Sequence, residues 1–289
     1  MTLALVAVQL RVTATAVASA EAYRAHVWAA VEDALVDAGD AAHKVVVLPE
    51  LAGHLALLAL APPAAHRART LGAALNTAAV RRPLDILRGM ATARVLGSRA
   101  AVLAALAPDG ERFWRSVCGP LAKRAGAWLV AGSHVRLGAT GDLTSSSLLF
   151  DPEGRCAAVT DKVNLVPGIE DGAPGALGLS RGEPKLPLTE APFGTIATLI
   201  GYDACPEASS VHDRFTPLHE TFTATVVANP TAASRGLPDA MRAAPVARYG
   251  ILAQLECDVL DLAYEGAAAV YERVGAEVHA RGPVLRVSP

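Results

Sequence analysis

Five short apolar runs, each stopped by a breaker or a polar turn, constrain this chain more than any other feature. They are LALVAVQL from Leu3, KVVVLPE ending at Glu50, WLVAGSHV from Trp128, TIATLIG ending at Gly201, and ATVVANP ending at Pro230. Runs of this length and composition are the mark of strands buried on both faces, which need covering layers on each side. Between them the period becomes helical. Over Ala18–Ala38, the residues Tyr23, Val27, Ala30, Val31 and Leu35 fall on one helical face. A second helix is expected over Glu111–Ala125, another between the runs at 195–201 and 224–230, and a last one over Met241–Glu256, feeding a strand DVLDLAY. SSSLLF and RCAAVTDKVNLV, joined by Asp151-Pro152-Glu153-Gly154, read as a β-hairpin. Buried strands alternating with helices predict a layered α/β domain with a mixed sheet.

Composition narrows the function classes. With 289 residues, 52% of them hydrophobic, the chain is long enough for one large core and too apolar for disorder. Cys118, Cys156, Cys205 and Cys257 show no CxxC or CxxH spacing, so neither a disulfide scaffold nor a metal site is expected, and no cofactor is called for. A net charge of -2 and an aromatic content of 4% argue against nucleic acid as a partner. The apolar start has no basic n-region and no run is of membrane-spanning length, so the expected location is the cytoplasm.

One segment departs from the average. Residues 51–107 hold seven arginines, no lysine and one acid, Asp85: a net +6, against -8 for the remainder. With Pro62-Pro63 and Pro83 between short helical runs, it reads as a helical insertion outside the core. It is either a solvated basic face on an acidic body or a patch for a membrane surface or polyanion.

Three places can carry chemistry. Glu50 closes an apolar strand, where α/β folds place active sites, though a solvated loop carboxylate has the same pattern. Lys162 follows small apolar residues, so its ammonium needs a carboxylate: adjacent Asp161, or another acid such as Glu170. In ATLIGYDACPE a strand runs into a turn, where backbone N–H groups can surround a nucleophile, and the only thiol there is Cys205.

Taken in order, VVVLPE, TDKVNLVPGIE, TLIGYDACPE, VVANPTAASRG and ARYGILAQLECDVLDLAYEG resemble the nitrilase, or carbon–nitrogen hydrolase, superfamily. The resemblance spans Leu3 to about Gly266, apart from the insertion. It implies a four-layer αββα sandwich, often paired between subunits, hence a homo-oligomer. It also implies a small amide, nitrile or acyl substrate. Glu50 would be the base, Lys162 the oxyanion partner and Glu170 the second glutamate, with Tyr202 and Asp203 near the substrate. A cysteine thiolate would attack the substrate carbon and form a thioester that water hydrolyses.

The sequence departs from that pattern at the nucleophile. Strand register puts it at position 201, which is Gly201, and the following turn to Pro206 is one residue short. Two readings stay open: Cys205 as a displaced nucleophile, or a nitrilase-like binding or regulatory module without thiol chemistry. A four-residue shift moves a sulfur about 6 Å along a helix or about 13 Å along a strand. If the register holds, Gly201→Cys is the change expected to return a thiol beside Glu50 and Lys162.

Overall fold

The computed structural model describes residues 2–80, 83–93, 98–173, 175–205, 224–233, 236–243 and 247–287. The helix expected between 201 and 224, with Pro206 and Glu207, lies outside the described residues.

The run LALVAVQL is not one strand. β1 (Leu3–Ala7) and β2 (Gln9–Thr13) join different sheets, and the chain crosses between them at Val8. In the first sheet β1 lies parallel to β3 (His43–Leu48), which lies parallel to β4 (Trp128–Ala131). β5 (His134–Leu137), β6 (Leu143–Phe150) and β7 (Cys156–Asp161) extend it antiparallel, and β15 (Val284–Val287) closes the other edge. The hairpin read from sequence is β6–β7, with Leu148 opposite Val159. The second sheet centres on parallel β9 (Gly194–Thr198), β10 (Val226–Thr231) and β11 (Tyr249–Val259). β2, β8 (Thr189–Ala191), β12 (Leu262–Tyr264), β13 (Ala269–Val274) and β14 (Glu277–Ala280) complete it.

Alternation of side chains makes the layers. Leu3, Leu5, Val45 and Val47 point toward Ile196, Val226, Tyr249 and Ile251, forming an apolar seam between the sheets. The intervening Ala4, Val6, Val46 and Leu48 face outward. There they meet Tyr23, Val27 and Val31 of α1 (Ala20–Val36), α2 (Ala52–Ala59), and the second half of α5 (Ser98–Ala125). On the second sheet's outer face Leu199, Val227 and Leu252 pack on Leu237, Ala240 and Met241 of α6 (Leu237–Ala243). The order is helix, sheet, sheet, helix: the αββα sandwich. No described helix is long and apolar enough to cross a membrane.

Two further sequence expectations fail. Residues 241–256 are not one helix: α6 ends at Ala243 and Tyr249–Val259 is a central strand. Tyr249–Leu255 is buried throughout, and an apolar run buried on all sides carries no period that tells strand from helix. Nor is 51–107 a lobe set apart from the core. It is helical where described, with α3 (Leu71–Val80) and α4 (Pro83–Ala93) following α2. Yet Leu55 and Leu58 of α2 join the cluster of Trp114 and Tyr23. α5 runs through residue 107, and through Pro108, without a break. Its first half packs Val102, Leu103 and Leu106 against Val135 and Leu143 of the first sheet.

Candidate functional site

Glu50 stands two residues past β3, beyond Pro49, whose missing N–H helps end the strand. Leu51 follows with φ of 66°, a left-handed conformation costly for a branched side chain. Its N–H donates to Ser133 Oγ at 3.1 Å. The chain therefore turns sharply at Glu50 and sends the carboxylate inward, where the residue is 6% exposed.

Lys162 follows β7, and its backbone is fixed by Ser145 and Gly182. Its side chain is 1% exposed, and Nζ donates to Glu50 Oε1 at 2.7 Å and to Glu170 Oε1 and Oε2 at 2.8 and 2.7 Å. Two of the three contacts go to one carboxylate and lie in nearly the same direction from Nζ, so the ammonium is bridged between Glu50 and Glu170. The adjacent acid is not its partner: Asp161 pairs with Arg136, at 2.7 Å. Glu170 is held from its own loop, where Val166 N donates to Oε2 at 2.7 Å. Glu50 Oε2 accepts from Ala232 N at 3.2 Å. Burial pushes the Glu50 carboxyl up despite Lys162. Burial also pulls on the Lys162 ammonium, but Glu50 and Glu170 outweigh it and its pKa is raised. With all three ionised, the cluster carries one excess negative charge.

Gly201 opens a 3-10 turn through Ala204, with φ of +49°. A Cβ placed on it falls 2.7 Å from Glu50 Cδ and closer still to Oε2. The space that a side chain at 201 would need is filled by the Glu50 carboxylate. The expectation that Gly201→Cys simply returns a thiol is corrected on both counts, backbone and room. Cys205, half-buried at the end of the turn, lines the same cavity as Glu50 and Lys162. Tyr202 lines it too. Asp203 does not, and the expectation of substrate contact is corrected by where its oxygens go. Oδ1 accepts from Asn164 N at 2.7 Å and Val163 N at 3.2 Å, so it ties this turn to the segment after Lys162. Burial pushes its carboxyl up to about 7, against the lowering pull of those N–H groups and of Lys162.

The sequence reading missed His54, Ser133, His134 and Tyr264. His54 and Tyr264 line the cavity. His54 Nδ1 lies 3.2 Å from the Ser133 carbonyl, and burial pushes the imidazole down to about 4. His134, buried nearby, is pushed down to about 3, first by burial and then by His54. At neutral pH both rings are therefore uncharged, and the 4.0 Å approach of Glu111 to His134 is no ion pair. A histidine inside AGHLALLA was the available signal. Among the described residues no group of three His, Cys, Asp or Glu is placed to hold a metal ion.

The cluster lines a cavity of about 630 Å³. Further walls come from 51–107, through Leu55, Leu58, Leu71, Leu75 and Leu103, and from the loop with Leu177.

An αββα sandwich with Glu50, Lys162 and Glu170 gathered beyond strand ends is a nitrilase-type fold, and comparison with solved structures agrees. An amidase from Nesterenkonia sp. AN1, solved as a glutamate-to-glutamine mutant after Michael addition of acrylamide at its active-site cysteine, matches with a TM-score of 0.58 and 15% identity, over 100% of this chain and 93% of that one. Saccharomyces cerevisiae Nit3, of branch 10 of the nitrilase superfamily, matches with a TM-score of 0.58 and 17% identity, over 99% and 89%. A cysteine-to-alanine mutant of the same amidase in complex with butyramide gives 0.54 and 18%, over 99% and 90%. No family model and no curated protein matches the sequence itself. At these identities the likeness is one of fold.

Proposed function

We infer that this chain binds a small amide, nitrile or acyl compound at the Glu50–Lys162–Glu170 cluster, and does so without thiol chemistry at position 201. The observation that carries the reading is Gly201 itself: left-handed backbone, no side chain, and the Glu50 carboxylate in the space a sulfur needs. The cluster supports a polar head group there, because Glu50, Lys162 and Glu170 line one cavity. The butyramide held by the similarly folded amidase supports the choice of ligand.

A second reading rests on Cys205, which lines the same cavity and keeps a displaced thiol in play. Ammonia release from short aliphatic amides, measured for wild type and Cys205→Ser, separates the two. Binding without catalysis predicts no turnover in either protein. Turnover on the order of 1–1000 per second that disappears in Cys205→Ser establishes the displaced nucleophile instead.

A further inference from the structure

The cavity is larger and more apolar than a small amide requires. Leu55, Leu58, Leu71, Leu75, Leu103 and Leu177 give it hydrocarbon walls, and its volume of about 630 Å³ is in the range of pockets that bury a drug-sized ligand. Ile169, 60% exposed, adds a further apolar side chain to the lining. Arg99, also lining it, has its guanidinium donating to the Gly175 carbonyl.

The polar end has the opposite character and a definite sign. Glu50 and Glu170 present acceptors, and the one ammonium among them is bridged between those same carboxylates. A ligand head group that brings N–H donors finds partners there. A carboxylate head meets like charge in a dry site, where repulsion is strong.

We propose that the cavity takes a medium-chain aliphatic primary amide, its hydrocarbon chain along the leucine walls and its carboxamide N–H groups on the Glu50 and Glu170 carboxylates. This rests on the binding reading above and adds the class of compound bound. Each methylene moved from water to the leucine walls tightens binding by about fourfold.

The test is a calorimetric series on the full chain near pH 7.5, with butyramide, hexanamide, octanamide and octanoate as probes. The expected result is a Kd that falls by roughly tenfold or more for each two-carbon step, with octanoate at least about tenfold weaker than octanamide. Leu71→Trp and Leu75→Trp, which narrow the cavity, should weaken octanamide by a larger factor than butyramide. A flat series in which butyramide binds as tightly as octanamide overturns the chain-length proposal and leaves the binding reading standing. Octanoate binding as tightly as octanamide overturns the head-group assignment. No binding by any amide overturns both.

Discussion

The strand ends that meet at this cavity carry different things. Beyond β3 and β7 the chain keeps a full set of charges, Glu50 and Lys162, with Glu170 completing the set from the next loop. Beyond β9 it keeps only the turn: Gly201 has no side chain, and Cys205 follows four residues later. The first end holds its geometry because buried charges are tolerated only together. The second has no such obligation, and its turn leaves position 201 without a side chain.

The largest expected effect is on the charged side. Lys162→Met leaves two buried carboxylates facing each other without a counter-ion and should cost about 3–5 kcal/mol in urea unfolding. Glu50→Gln added to it should recover part of the loss, since one of the two charges then goes. Equal losses for the single and double variants would show that the cluster is not electrostatically coupled.

The dry setting of that side has a pH signature. His54 and His134 sit below their unfolded value, so the stability they contribute is present above about pH 6.5 and lost as pH falls toward their folded values of about 4 and 3. For His54 alone this is on the order of 3 kcal/mol. Asp203 has the opposite sign: its folded value of about 7 gives stability that is full below about pH 4 and lost as pH rises through 7. Urea midpoints at pH 4.5, 6 and 7.5 should show the acid-side loss in wild type, reduced by the opposing gain from Asp203. A His54→Asn/His134→Asn variant, which keeps a side-chain N–H to donate, should lack it. A variant that still loses stability on acidification would place the acid sensitivity elsewhere.

On the empty side the effects are smaller. Gly201→Ala puts a Cβ on a left-handed residue against Glu50, with an expected cost of about 1–3 kcal/mol. A neutral Gly201→Ala would mean that the carboxylate moves aside freely and that a thiol at 201 is feasible. Smallest of all, Cys205→Ser should change stability by no more than about 0.5–1 kcal/mol and leave amide affinity unchanged; a large loss of affinity would give the thiol a part in binding.

The sequence made much of this legible, and physical reasons separate what was read from what was not. Glu50, Lys162 and Glu170 stand at strand ends or in a Pro/Gly loop, so apolar runs point straight to them. The β6–β7 hairpin announced itself through Asp151-Pro152-Glu153-Gly154. The crossing at Val8 was invisible, because Leu3 to Val8 is uniformly apolar and nothing in it marks a change of sheet. β11 was lost for the same reason. In 51–107 the arginines dominated the reading and suggested a surface, whereas the leucines between them build the cavity walls. Asp203 looked like part of the site by its place beside Tyr202, and only its hydrogen bonds to Val163 and Asn164 reveal a residue that ties two loops together.

The central claim is the inference made above, that the cluster binds its ligand without thiol chemistry. Intact-mass spectrometry of wild type after incubation with acrylamide and with a reactive acyl ester, followed by peptide mapping, tests it most directly. The account predicts no adduct at any cavity residue, and any slow labelling confined to the exposed thiol of Cys156. A stoichiometric adduct or thioester on Cys205 that forms in wild type and is lost in Lys162→Met would contradict it.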